Sequence, residues 1–222
     1  MNANPSALPL PAEMALLLHR PDGSAHRSRA ALITGAAEIG ELALLGHIGP
    51  AGGTKVQLLD ARPTGVPWQD AVLAGLAGKA GPRGKPINLG SWLQHRRGAF
   101  HEHRELLVRS GLLRHERSKA LGFVPVDKYV PEPQAQRRLV VEVRDAARGV
   151  REIDARLATR CALVHVADLG RSLGCPKPEL AALKEISRGN GLSEAVRRVL
   201  EASSAAVMAA ITAAGAASTT GG

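Results

Sequence analysis

The chain has 222 residues, of which 45% are apolar and 2% aromatic, with a formal net charge of +9. This apolar content excludes an intrinsically disordered chain. No apolar run reaches the ~20 residues that a membrane-spanning helix needs, and residues 1–11 lack the features of a signal peptide, so we expect an intracellular protein. The bias towards Ala, Arg and Gly is typical of a GC-rich bacterial genome.

The first half of the chain predicts helices joined by turns and one small hairpin. Apolar residues dominate from about residue 28 onwards, and Gly46 is expected to end this segment as a left-handed C-cap. We interpret the segment as the central core helix. The other predictions are a helix at 12–19, a hairpin from 47–48 and 55–59, a helix at 68–77 and a loop at 78–86.

The second half predicts a hairpin between two helical regions. Gly111 is expected to stop the helix that precedes this hairpin. The predicted elements are helices at 89–96 and 99–110, hairpin arms at 112–116 and 123–126 with a loop at 117–122, and helices at 134–148, 153–169, 178–187 and 192–214. We therefore expect a mainly α protein: a flexible N-terminus at 1–10, a single globular domain at 11–214, and a disordered tail at 215–222.

Positive charge is concentrated in one segment. Between Lys79 and Lys119 there are ten Lys and Arg but three acidic residues, so +7 (10 − 3) of the formal +9 lies there. Short apolar runs at 111–113 and 120–123 accompany it. Anionic head groups contribute about 1 kcal/mol per basic residue near a membrane, and inserted apolar side chains add to this. The segment predicts a membrane surface as partner, and the alternative is a solvated charged face.

Motifs for catalysis or metal binding are missing from the sequence. The segment 49–55 is rich in Gly but lacks the Gly-Lys-Ser/Thr order of a phosphate-binding loop. His101 and His103 are two residues apart on a predicted helix, which points them in different directions, and Cys161 and Cys175 have no metal-ligand spacing. We expect no metal, no cofactor and no enzymatic activity, with both thiols reduced and buried.

Several segments, in this order, resemble the Golgi phosphoprotein 3 family. The first is Gly40-Glu41-Leu42-Ala43-Leu44-Leu45-Gly46-His47-Ile48, similar to the end of that family's central helix. Pro63-Thr64-Gly65 before an amphipathic helix, Trp92 on a short helix, and Leu106 to Leu113 before a hairpin follow. The resemblance extends from Leu16 to about Ala214.

The resemblance implies a central helix surrounded by amphipathic helices, with one or two short hairpins. It also implies a non-enzymatic, peripheral membrane protein that binds phosphatidylinositol 4-phosphate head groups. Eukaryotic relatives sort glycosyltransferases at the Golgi, but bacterial relatives, common in actinomycetes, have no Golgi. For this chain we therefore expect a cytoplasmic protein at the inner face of the membrane, with anionic phospholipid or phosphoinositide as partner.

The resemblance also implies a head-group site. In the family an aromatic and a basic residue near the central helix join two basic residues before the hairpin, and these positions are His26, Gly35, Arg97 and Phe100 here. Arg97 alone keeps the family's chemistry, while His26 can still stack or, when protonated, donate to phosphate. Neighbouring arginines can supply further charge. The predicted head-group residues are His26, Arg27, Arg29, Arg96, Arg97 and Arg104.

The hairpin has two predicted roles. Family members carry bulky apolar residues at its tip that enter the bilayer, whereas this chain has Lys119, Ala120 and Leu121. Replacing a Phe-sized group by Ala loses about 1 to 2 kcal/mol of insertion free energy, which predicts weak, salt-dependent attachment. Hairpins of the family also mediate self-association, so Leu113 to Val126 is a candidate surface for a homo-oligomer.

Two other classes of function remain open. Helix 99–110 followed by a basic hairpin also resembles the recognition helix and wing of a winged-helix DNA-binding protein, although the loop at 78–88 interrupts the place of the preceding helix-turn-helix. The second alternative is an adaptor whose basic surface binds the acidic tails of a client protein.

Overall fold

The computed structural model describes residues 8–120, 124–188, 197–198, 201–202, 204–209 and 211–212. Its helices and strands, in chain order, are α1 (Leu10–Leu17), α2 (Arg27–Leu44), β1 (Ile48–Pro50), β2 (Lys55–Leu58), α3 (Pro67–Ala80), β3 (Ile87–Asn88), α4 (Leu89–His95), α5 (Ala99–Arg109), β4 (Leu113–Ala120), β5 (Val124–Pro131), α6 (Pro133–Arg148), α7 (Ala155–Val166) and α8 (Lys177–Ser187). The fold is mainly α with two small antiparallel sheets, as predicted.

Helix α2 is the central helix. It contacts α1, α3, α4, α5, α7 and β1, and most of its residues are buried. Every residue of α1 is buried as well, including the charged Glu13. Because aromatic residues are few, aliphatic side chains fill the core. The largest of those that are fully buried are Leu10, Met14, Leu16, Leu17, Leu18, Ile33, Ile39, Leu42, Leu73, Leu76, Leu89 and Leu93.

Glycines end two of the helices that border the candidate site. Gly46 after α2 has φ of +80° and Gly111 after α5 has φ of +74°. In each case the next residue closes the helix end, since His47 N donates to Leu42 O and Leu112 N donates to Leu107 O, both at 2.9 Å. These are Schellman motifs, which require a left-handed residue that glycine adopts without steric cost. Both predicted stops are confirmed.

The first sheet contains one strand that the sequence did not predict. β1 and β2 form the predicted hairpin, with Ile48 opposite Leu58. β3 then adds two residues to β2, with Ile87 opposite Val56. A strand of two residues is too short to produce a periodic pattern, which explains why it was missed. The helix predicted at 68–77 also continues to Ala80, into the predicted loop.

The second hairpin is longer than predicted. Strands β4 and β5 pair from Leu113 opposite Pro131 to Ala120 opposite Val124. The loop predicted at 117–122 is therefore wrong for residues 117–120, which belong to β4. Pro125 and Pro131 lie within β5. A two-stranded ribbon tolerates them because each of its strands is an edge strand.

The last third of the described chain is helical, as predicted. Helix α6 packs against α7 and α8, and α7 contacts the central helix. The described residues of the predicted helix 192–214, namely 197–198, 201–202, 204–209 and 211–212, are helical. Residues 1–7 of the predicted flexible N-terminus and the predicted tail at 215–222 lie outside the described residues.

Candidate functional site

A groove of about 440 Å³ lies where α2 begins, where α5 begins, and beside β5. Two alanines from the first turns of α2 form one side of it, α5 and the residues just before it form the second, and β5 forms the third. The lining residues are Ala30, Ala31, Arg97, Phe100, His101, Arg104, Asp127 and Tyr129. The groove therefore brings together two of the predicted head-group residues, Arg97 and Arg104.

Arg97 is exposed at the edge of the groove. Its Nε donates to the carbonyl of Gln94 at 3.3 Å, and no carboxylate pairs with it among the described residues. A guanidinium presents several donors in one plane, which matches the oxygens of a phosphate or carboxylate. Arg97 is thus placed to bind an anion that enters the groove.

Arg104 is held against aromatic rings. Its guanidinium carbon lies 3.9 Å from the centroid of the Tyr129 ring, and its Nη2 donates to Nδ1 of His101 at 2.8 Å. His115 is stacked on Tyr129 with a centroid distance of 4.7 Å and an interplanar angle of 8°. Arg104 and His115 therefore both pack against the Tyr129 ring. This stack fixes the Arg104 side chain in place.

Phe100 is backed by a buried histidine. The His19 ring stacks on Phe100 at 5.1 Å between centroids, and Nδ1 of His19 lies 2.7 Å from the carbonyl oxygen of Ala15. Position 100 is basic in the family that the sequence resembles. Here it supplies an apolar wall supported by α1.

Asp127 is the acidic member of the groove lining. Its Oδ1 accepts a hydrogen bond from Nε2 of His115 at 2.9 Å, and Arg117 lies 4.0 Å away. The His115 hydrogen bond, with the nearby charges of His115, Arg117 and Arg104, lowers the pKa of Asp127 below its usual value. Asp127 is therefore ionised at neutral pH.

Arg96 contacts the protein interior and does not line the groove. Its guanidinium makes two hydrogen bonds with Glu38 of α2, both at 2.9 Å, and also contacts Glu102. Glu38 additionally lies 2.9 Å from Nε2 of His103, and both side chains are fully buried. Gly35 allows α2 to pack closely against Leu93, since a Cβ there would lie 3.1 Å from Leu93 but at an ordinary contact distance of 3.5 Å from the Arg96 stem. The charge of Arg96 is thus compensated internally.

The other predicted residues near the start of α2 do not line the groove either. His26 precedes α2 and accepts from Nε of Arg20 at 3.4 Å. Burial and the Arg20 charge lower its pKa, so His26 is neutral at pH 7. Arg29 is half-buried in the first turn of α2. Arg27 is the first residue of that helix, and its side chain lies outside the description.

The predicted membrane-contacting residues lie at the end of the second hairpin. Lys119 and Ala120 are the last two residues of β4, opposite Pro125 and Val124. Leu121 lies outside the described residues.

Three side chains of this site were missed from the sequence: Asp127, Tyr129 and His115. Side chains alternate along a strand, so Asp127 and Tyr129 share one face of β5, and His115 is directly opposite Tyr129 on β4. The alternation of these residues is visible in the sequence. Placing the three side chains together, however, requires knowing how residues of the two long strands pair. The predicted short arms ended before residue 127.

Two further features of the described residues concern alternative functions. No group of three or more His, Cys, Asp or Glu is placed to hold a metal ion in the part of the chain that the structure describes. None of the helices described there combines the length and apolarity needed to cross a bilayer.

Comparison with known proteins identifies a family for this chain. A family model described as Golgi phosphoprotein 3 (GPP34) matches residues 10–203, which is most of the chain. No curated protein matches the chain.

Proposed function

Since the chain belongs to the Golgi phosphoprotein 3 family, we propose that it is a non-enzymatic, peripheral membrane-binding protein. In this proposal the groove between α2, α5 and β5 takes the phosphate of an anionic lipid head group, of the phosphatidylinositol 4-phosphate type, at the inner face of the membrane. The main observation in support of this proposal is that Arg97 and Arg104 line the same groove.

The electrostatics of the groove support phosphate as the ligand. Arg97 has only a backbone carbonyl as its hydrogen-bond partner among the described residues, and Arg104 is fixed by stacking on Tyr129. The first turns of α2 border the groove, and the start of a helix carries a partial positive charge that favours anions. Charge-assisted hydrogen bonds from both arginines would hold one phosphate.

The groups around the groove support binding rather than catalysis. His115 is hydrogen-bonded to Asp127, and His101 accepts from Arg104. A general base contributes to catalysis only together with a nucleophile that it can activate. The lining residues supply no Ser, Thr, Cys or Lys as a nucleophile.

Vesicle co-sedimentation tests the proposal. We expect the protein to bind phosphatidylcholine vesicles that contain phosphatidylinositol 4-phosphate, and not phosphatidylcholine alone. Arg97→Ala should weaken binding about tenfold, because a hydrogen bond to a charged group contributes about 1.5 to 3 kcal/mol. Arg97→Ala with Arg104→Gln should abolish it.

Arg109→Ala is the matched control for Arg97→Ala. Arg109 is an exposed arginine at the end of α5 that does not line the groove, so its loss should change binding less than about twofold. Equal effects of the two substitutions would reject the groove. Retention by duplex DNA at the same salt, without vesicle binding, would favour the winged-helix alternative instead.

A further inference from the structure

We propose that Asp127 is a specificity-determining residue of the groove, favouring head groups with one phosphate beside free hydroxyls over head groups with adjacent phosphates. This inference rests on the proposed function, because it concerns the ligand of the same groove. Nothing in the family resemblance assigns a role to this residue.

The charge balance of the groove favours a single phosphate. Arg97 and Arg104 bring two positive charges, and Asp127 brings one negative charge, which leaves +1 in the lining. His101 is engaged through Nδ1, which accepts a hydrogen bond from Arg104. One phosphate matches this charge, whereas a second phosphate alongside it would face an ionised carboxylate.

The Asp127 carboxylate is fixed in position. Its Oδ1 is bound by His115, His115 is stacked on Tyr129, and Arg104 also packs against the Tyr129 ring. The arginine and the carboxylate are thus connected through Tyr129 and His115. Both line the same groove, so a phosphate bound by Arg104 would share the groove with Asp127.

One oxygen of Asp127 is available to a ligand. Among the described residues, Oδ1 makes the contacts with His115 and Arg117, and Oδ2 receives no hydrogen bond. The side chain is 58% exposed. A carboxylate oxygen accepts hydrogen bonds and cannot donate them, so it suits a hydroxyl and repels a phosphate oxygen. The same atom would therefore attract one class of head group and reject the other.

The test compares two lipids and two variants of the full-length chain. Binding is measured to phosphatidylcholine vesicles with phosphatidylinositol 4-phosphate or with phosphatidylinositol 4,5-bisphosphate, and in parallel to the soluble head groups of the two lipids. Asp127→Asn keeps the shape of the side chain and removes its charge. We expect this substitution to increase the ratio of bisphosphate affinity to monophosphate affinity about threefold, both with vesicles and with soluble head groups. An effect of this size is expected for one unit charge whose interaction is screened by water and salt.

Glu116→Gln is the matched control. Glu116 is an exposed acid on β4 that pairs with Arg114 and does not line the groove, so removing its charge should leave the preference unchanged. Asp127→Ser provides a second variant with the same expected shift if Asp127→Asn does not fold.

The outcomes separate this inference from the proposed function. An unchanged preference in the Asp127 variants, an equal shift in Glu116→Gln, or a shift with vesicles but not with soluble head groups would overturn the role of Asp127 and leave lipid binding intact. No binding of the unmodified chain to either phosphate in either format would overturn both.

Discussion

Arg96 and Arg97 are adjacent in sequence but have opposite environments. Arg96 is 16% exposed and bridges the fully buried Glu38 and the partly exposed Glu102. Arg97 is exposed and lies in the groove. The first side chain therefore stabilises the packing of α2 against α5, and the second is available to a ligand.

Substituting each arginine in turn should separate stability from binding. Arg96→Ala leaves Glu38 with His103 as its remaining partner, and breaking a buried ion pair costs about 3 to 5 kcal/mol. We expect Arg96→Ala to lower the free energy of unfolding by about 3 kcal/mol in urea denaturation, because the remaining His103 contact of Glu38 and the partial exposure of Arg96 lessen the effect. Arg97→Ala should lower it by less than about 0.5 kcal/mol. Similar losses in both variants would contradict this assignment.

The sequence alone could not distinguish these two arginines. The family resemblance predicted Arg97 as a head-group residue, and Arg96 was included as a neighbouring arginine that could supply further charge. The difference depends on Glu38, which is 58 residues away in the chain. Gly35, which looked like a lost basic residue when compared with the family, is the position where α2 packs closely against Leu93 of α4. Contacts across such separations leave no local signal.

At the scale of elements, helix ends could be predicted better than strands. Gly46 and Gly111 ended their helices as expected, because a left-handed C-cap is a local requirement. The length of β4 and β5 was underestimated, because their outer stretches are charged and lack the apolar alternation that marks a strand. Asp127 and Tyr129 were missed for this reason. Arg97 and Arg104, which came from the family resemblance and from its neighbouring arginines, line the groove.

Helix α8 is attached to α6 through one carboxylate. Glu179 accepts hydrogen bonds from Nε of Arg144 at 2.9 Å and Nε of Arg148 at 2.7 Å. Its side chain is 7% exposed. The hydrogen bond from Arg144, followed by that from Arg148, lowers the pKa of Glu179 below its ordinary value of 4.5. This carboxylate is therefore ionised in the folded state down to a pH below 4.5.

This lowered pKa predicts a pH-dependent contribution to stability. A carboxylate with a lowered folded-state pKa stabilises the fold fully above its unfolded pKa, and the contribution is lost as the pH falls through the folded value. Glu179→Gln should therefore lower the free energy of unfolding by about 2 kcal/mol at pH 7. The difference from the unmodified chain should shrink as the pH falls below 4.5.

Urea denaturation at several pH values measures this difference. Glu185→Gln is the control, since Glu185 is an exposed acid on the same helix that pairs with the exposed Arg188. It should change stability little at any pH. A Glu179→Gln deficit that stays constant down to pH 3 would show that packing, and not the ionised carboxylate, holds α8.

At the scale of the whole molecule, the concentrated charge of the sequence is divided among several elements. The basic residues between Lys79 and Lys119 are spread from the end of α3 to β4, and several have acidic partners. Arg96 pairs with Glu38 and Glu102, Arg114 with Glu116, and Arg117 lies near Asp127. The sum of the charges predicted an anionic partner. Folding determines which cations are available. Among the groove residues, Arg97 has no acidic partner in the described part of the chain, and Arg104 lies 3.8 Å from Glu105 while it also lines the groove.

The two cysteines report whether the chain unfolds as one unit. Both are free and buried, as expected from the sequence. Burial raises the pKa of Cys161 to about 12 and that of Cys175 to about 11. Because the thiolate is the reactive form, neither should react with an aromatic disulfide reagent at pH 8 while the protein is folded. Cys161 lies in α7, against the central helix, and Cys175 precedes α8, so they sample two parts of the core.

A single domain predicts equal labelling rates for the two thiols. The variants Cys161→Ala and Cys175→Ala leave one thiol each. The rate at which the remaining thiol reacts with the disulfide reagent is then measured at increasing urea concentrations. If residues 11–214 unfold cooperatively, both thiols become reactive with the same dependence on urea, since each needs global opening. Faster labelling of Cys175, with Cys161 still protected, would instead show that α8 detaches first. In that case Glu179→Gln should accelerate the labelling of Cys175 alone, because an uncharged amide then replaces the carboxylate that joins α8 to α6.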